Sequence, residues 1–208
     1  ISIKSISLIK KPLIWTFHDL WPFLGSEHYP KDINDRRYID GYNKFNRSKS
    51  EKGFDLDLLT WKTKKRFFRK PIQIVCNSNW LADCVRNSAL MHSWPVEIIP
   101  NPIPTKIYTP WPKKYSRTLF NLPLNKELIL FGAIGGTEDS RKGWKFLKIA
   151  LKKLSYRKKN LHAVIFGQYE PKNKPDIGIP LTFIGELQDD QSLAMLYSAA
   201  DVMIVPSM

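Results

Sequence analysis

The segment from Gly135 to Gly143 (GGTEDSRKG) joins flexible glycines to two adjacent cations, Arg141 and Lys142, just before an apolar-periodic run. Backbone N–H groups at a helix start, together with fixed cations, make a site for a phosphate or diphosphate. The same composition also suits a plain surface loop. The spacing is not that of a P-loop, because no Gly-Lys pair closes a G-x-x-x-x-G run, and no G-x-G-x-x-G occurs.

His18 and Asp19 follow an apolar run, at the position where a strand of a parallel sheet meets its ligands. A histidine there acts as a general base, donates a hydrogen bond to a hydroxylic or anionic substrate, or serves as a satisfied structural side chain. Glu27 and His28 lie in the same loop and could join His18 and Asp19 around a cation, but the spacing matches no known ligand signature. Trp61, Phe67, Phe68 and Trp144 stand beside basic residues, as on a nucleic-acid surface, yet their helical spacing fits core packing better.

These residues need elements to hold them. Lys11 to Asp19 (KPLIWTFHD) has a buried-strand pattern, followed by a long irregular stretch to about Gly53. Leu56 to Phe68 is helical in pattern, and Ile72 to Cys76 is a short strand. Ser78 or Asn79 is placed to cap a helix starting at Trp80-Leu81, and Val96 to Ile99 is a further strand. The alternation signals a parallel α/β sheet. Pro100, Pro102, Pro104, Pro110 and Pro112 lock φ and forbid regular structure, so a domain boundary is expected there.

Beyond the prolines the alternation restarts. Leu128 to Phe131 is a strand and Trp144 to Leu154 an amphipathic helix. Val164 to Phe166 and Thr182 to Ile184 are strands, and a helix closing on Ala199-Ala200-Asp201 leads into a strand Val202 to Val205. That last strand delivers Pro206-Ser207 to a ligand-facing end.

The formal net charge of the 208 residues is +14. The excess divides evenly between residues 1–100 and 101–208 with no basic tail, and an acidic partner is implied. The densest basic clusters, Lys62 to Lys70 and Lys152 to Lys159, read either as solvated helix faces or as contacts to an anionic membrane surface or polyanion. No apolar run reaches the ~18 residues of a membrane span, and the start at Ile1 reads as internal rather than as a signal peptide. Cys76 and Cys84 show no C-x-x-C pairing and read as reduced core thiols of a cytosolic protein.

Seven segments in order resemble the retaining GT-B glycosyltransferases of family 4, specifically bacterial members assigned to polysaccharide or lipopolysaccharide assembly. They are WTFHDLWPFLGSEHY at 15–29, CNSNWLADCVRNSAL at 76–90, VEIIPNPI at 96–103, FGAIGGTEDSRKGW at 131–144, VIFGQ at 164–168, FIGELQDD at 183–190 and LYSAADVMIVPS at 196–207. The resemblance implies two Rossmann-like parallel-sheet domains, both incomplete: residues 1–103 on the acceptor side and 104–208 on the nucleotide-sugar side. It implies transfer of a sugar from a nucleotide-diphosphate donor to a saccharide or lipid-linked acceptor, without a metal. The setting would be the cytoplasm, with possible peripheral contact at the inner face of the membrane.

The resemblance implies roles residue by residue. His18 is the catalytic histidine facing the interdomain cleft, with Asp19 and Trp21 beside it on the acceptor side. Gly135, Gly136, Arg141 and Lys142 hold the donor diphosphate, Phe183, Gly185 and Glu186 lie against the base, and Ser207 closes the donor side. The chain departs from the family pattern twice. Where many relatives have G-R-L at a strand end it reads Gly132-Ala133-Ile134, which leaves Arg141 as the substitute cation. Where many have a cysteine cluster it has Ser26, Glu27 and His28. The Glu-x7-Glu motif is expected just after Ser207 and the glycine loop of the first strand before Ile1, so residues 1–208 alone are expected to transfer no sugar. A non-catalytic basic module binding nucleic acid or an anionic membrane is the competing reading.

Overall fold

The computed structural model describes residues 2–30, 34–49, 51–132 and 134–207. The chain forms two compact units, Ile1–Pro102 and Ile103–Met208. Each has a parallel sheet, as the alternating pattern predicts.

In the first unit α1 (Ile3–Ser7) precedes β1 (Ile14–Phe17), and α2 (Arg37–Asp40) and α3 (Leu56–Phe67) lead to β2 (Gln73–Cys76). Then α4 (Asn79–Asn87) leads to β3 (Val96–Ile98), and the strand order is β1-β2-β3. Asp55 caps α3 by accepting from Leu58 N, and Ser78 caps α4 by accepting from Leu81 N. The register pairs Phe17 with Cys76 and Cys76 with Ile98, so the three strands end level and His18 sits on that rim. Phe17, Phe23, Trp61, Ile74, Cys76, Val85 and Met91 fill the core.

Two expectations need correction here. The strand expected over Lys11 to Asp19 is only Ile14–Phe17, because β1 is the outer strand of three; Ile14 is 73% exposed and only Phe17 is buried. The Lys62–Lys70 cluster is not uniformly a solvated face either, since Lys64 is 0% exposed. Cys76 and Cys84 are buried free thiols, and burial pushes both up, Cys76 to about 11.

The second unit runs α5 (Lys113–Leu119), β4 (Glu127–Gly132), α6 (Trp144–Ser155), β5 (Leu161–Phe166), β6 (Leu181–Gly185), α7 (Asp190–Ala199) and β7 (Val202–Met203). The proline-rich stretch 100–112 carries no helix or strand, as expected, and α5 begins directly after Pro112. The order is β6-β5-β4-β7, all parallel. Side chains alternate across β4. Ile129 and Phe131 pack with Trp144, Leu147 and Leu151 of α6, whereas Leu128 and Leu130 pack with Leu196 and Ala199 of α7. A strand covered on both faces reads as an unbroken apolar run, which is why LILF carries no alternation. Trp61, Phe68 and Trp144 are buried, and Trp144 stacks on Phe131 at 5.4 Å, so those three aromatics are core.

β7 is shorter than the expected Val202–Val205 and lies at the outer edge, although Ile204 N still bonds Leu130 O at 2.9 Å. Among the described residues no helix is long and apolar enough to cross a membrane.

Candidate functional site

The path from β4 to β5 to β6 steps outward on one side of β4, and β7 then returns to its other side. The order reverses between β4 and β7, and ligands of open α/β sheets bind outside the strand ends at such a reversal. Two segments meet there. Gly143, with φ +70°, enters α6 so close to the chain after β7 that an added Cβ would lie 2.8 Å from the Pro206 carbonyl carbon and nearer still to its oxygen. Among the described residues no side chain caps α6, and Phe146 N bonds Gly143 O at 3.0 Å, so the amides ahead of Phe146 are the ones left for an anion arriving beside Pro206 and Ser207.

The loop before α6 is well tied. Gly135 N bonds Gly167 O at 3.2 Å, and Gln168 clips Thr137 twice, accepting from its amide at 2.8 Å and donating to its hydroxyl at 2.7 Å. Asp139 caps a 3-10 turn, Ser140–Lys142, by accepting from Arg141 N at 3.0 Å.

The turn separates the two expected cations. The Arg141 guanidinium folds back onto Asp139 with bonds of 3.1 and 2.7 Å, and this pair holds the Asp139 carboxyl below the usual range. Lys142 is half-buried beside Gly143; its amide bonds Asp139 O at 3.0 Å, but its side chain makes no hydrogen bond or ion pair among the described residues. With Glu138 and Asp139 in the same loop, its formal charge is zero. An anion there relies on Lys142 and the α6 amides first.

The remaining donor-side residues are more dispersed. Gly136 is buried in the loop and Ser207 is exposed after β7. Gly185, with φ +81°, is buried under the Tyr169 ring, and its carbonyl accepts from Gly167 N at 2.8 Å. Glu186 is exposed beyond it. Phe183 is half-buried and packs with the α6-side core rather than standing on the rim. Ala133, part of the expected strand end, lies outside the described residues. Gly143, Gln168 and Tyr169 were not singled out from the sequence; the glycine at a helix start was the one signal for them.

In the first unit His18 is exposed on the rim of β1, with no hydrogen-bond partner among the described residues. Asp19 accepts from Trp21 N at 2.9 Å through one oxygen and meets His28 Nδ1 at 2.7 Å through the other. Glu27 turns inward instead, accepting from the Tyr42 hydroxyl. Among the described residues no group of three or more His, Cys, Asp or Glu side chains is arranged to hold a metal. Burial first, and the neighbouring Asp57 carboxyl second, push Glu27 above the usual carboxylate range.

Asp57 in turn accepts from the Ser26 hydroxyl and amide, and Gly25 allows the close approach: a Cβ on it would lie 2.6 Å from Asp57 Cα. Lys64 completes this buried group. Its Nζ donates to the carbonyls of Trp21, Leu24 (3.1 Å) and Gly25 (2.6 Å) and lies 3.9 Å from the Trp21 ring centre. Burial pulls Lys64 down to about 7, against the pull of Glu27, Asp19 and Asp57.

No protein-family model matches the chain, and no curated protein sequence matches it. Solved structures do. The chain superposes on sucrose-phosphate synthase from Thermosynechococcus elongatus with a TM-score of 0.62 at 18% identity, over 98% of this chain and 46% of that one. It superposes on Anabaena HepE, solved in complex with UDP and glucose, with a TM-score of 0.55 at 12% identity, over 93% of this chain and 46% of that one. The shared feature is the GT-B type of α/β fold with two parallel-sheet units, and the chain spans just under half the length of each neighbour.

Proposed function

We propose that the chain is part of a glycosyltransferase that moves a sugar from a nucleotide-diphosphate donor to a hydroxyl of a saccharide or lipid-linked acceptor. One observation carries the reading: the uncapped start of α6 and Lys142 stand beside Pro206 at the order reversal of the second sheet. A diphosphate seated there would have its growing charge stabilised as the bond from the sugar anomeric carbon to the leaving oxygen breaks. The bound UDP and glucose of HepE, a neighbour in fold, are consistent with that use.

In this proposal unit 1 supplies His18, Asp19 and Trp21 on the acceptor side, and unit 2 supplies Gly135, Gly136, Lys142, Gly185, Glu186 and Ser207 on the donor side. Phe183 supports the donor side from within the core. The reaction is retaining and needs no metal, because Lys142 and helix dipole supply the positive charge. The setting is cell-surface polysaccharide synthesis on the cytoplasmic side, with the basic helix faces near anionic lipid. Residues 1–208 alone would turn over no sugar.

Kinetics of the complete enzyme test this reading. Lys142→Ala is expected to raise donor KM or lower kcat by roughly 10- to 150-fold, the loss of about 1.5–3 kcal/mol for one charge-assisted contact. Arg141→Ala should cost less, since its guanidinium already sits on Asp139. Unchanged donor kinetics in Lys142→Ala would remove the site.

A further inference from the structure

The chain from Leu20 to Gly25, buried except for the half-buried Trp21, lies behind the rim of β1 without belonging to a strand or regular helix. Its amides are served locally, Leu20 N by His28 O at 3.2 Å and Phe23 N and Leu24 N by Leu20 O at 3.1 and 3.0 Å. Leu20 O is used in those two bonds, but three further carbonyls have no such local amide. Those of Trp21, Leu24 and Gly25 converge on the one buried amine among the described residues of the unit, Lys64 Nζ. Buried carbonyls without a donor are costly, and an ammonium carries three donors for these three acceptors. The face of Trp21 covers the remaining side at 3.9 Å.

We propose that Lys64 is a positioning residue for the acceptor side: its ammonium is the internal cation around which residues 20–25 fold, and through them it sets Asp19, Trp21 and His28. The links are direct. Trp21 N fixes one oxygen of Asp19, His28 fixes the other, and His28 O holds the start of the turn. The charged groups facing Nζ are Asp19 and Glu27 from the loop and Asp57 from α3. None of them stands in for the three donors, because carboxylates only accept.

The proposal rests on the acceptor-side reading of this loop, and the tests separate the two. At pH 6, amide exchange of Leu20, Phe23 and Leu24 is compared in the complete protein, wild type against Lys64→Met, which keeps the apolar stem. Protection of these amides is expected to fall at least about tenfold while β2 and α4 keep theirs. Lys64→Ala, which lacks the atoms of n-propylammonium, should recover protection when that ion is added and not when n-propanol is. In turnover assays Lys64→Met should lower acceptor kcat/KM by about 100-fold, as a shift of about 1 Å in a positioned group does, with donor KM unchanged.

Full protection in Lys64→Met overturns the proposal, as does a loss spread evenly over unit 1. If Lys64→Met does not fold, failure of propylammonium to restore Lys64→Ala overturns it. Loop-specific deprotection with rescue, but unchanged acceptor kinetics, supports the ammonium seat and overturns the acceptor-side reading of the loop.

Discussion

Arg117→Ala is expected to destabilise the second unit by about 3–5 kcal/mol, because it strips the donor from three backbone carbonyls at about 1–3 kcal/mol each, while the ion pair to Asp201, which is exposed, adds little. Arg117 is buried although α5 is a short surface helix. Its Nε donates to Ala199 O at 2.9 Å, at the end of α7. One terminal nitrogen donates to Leu124 O and Lys126 O, both at 3.0 Å, and the other to Asp201 Oδ2 at 2.7 Å. Asp201 also accepts from Leu128 N, at the start of β4, and from Lys113. One side chain therefore joins α5, the following loop, the end of α7 and the entry to the central strand.

Truncation leaves these carbonyls without donors and Asp201 without its buried partner. For a unit of about 100 residues the loss should lower Tm by at least about 12 °C. Arg117→Lys keeps the charge but not the fork, and should fall between wild type and alanine. Thermal unfolding followed by circular dichroism reads this directly. A shift in Arg117→Ala within a few degrees of wild type would show the network to be ornamental.

The alternation of apolar runs with caps made both sheets legible in the sequence. Leu128–Phe131 and Ile72–Cys76, the latter observed over Gln73–Cys76, stand out as strands because they are short apolar runs, and Ser78 declares its helix by hydroxyl chemistry alone. The rim positions of His18 and of the Gly135–Gly143 loop followed from those strands. The buried cations did not. Lys64 and Arg117 sit in basic helical stretches that look solvated, and their partners are backbone carbonyls, which every residue has and no sequence pattern marks. The fate of Arg141 was hidden by the same kind of local geometry: Asp139 caps the turn and takes the guanidinium in one move. A loop read as doubly cationic is neutral overall, and of its two cations only the Lys142 ammonium is left uncommitted by hydrogen bonds or ion pairs among the described residues.

Gly143→Ala is expected to damage donor binding without removing any side chain, because two costs fall on one atom. The residue has φ +70°, where an L side chain costs about 1–2 kcal/mol. The new methyl would also fall inside contact distance of the Pro206 carbonyl, a backbone group that cannot swing aside as a flexible side chain does. Either the start of α6 or the chain after β7 must then move, and both frame the proposed diphosphate seat. Gly135→Ala separates the two costs, since Gly135 has φ +59° with nothing within 4 Å of its added Cβ. It should lose only the conformational share of stability, about 1–2 kcal/mol. Gly143→Ala should lose clearly more, and its nucleotide affinity in the complete protein should drop more than about tenfold, the effect of 1.4 kcal/mol or more. Thermal unfolding of both variants with calorimetric titration of the nucleotide decides the matter. Should Gly143→Ala match Gly135→Ala in stability and bind nucleotide as wild type does, the approach of Gly143 to Pro206 would not be what shapes this site.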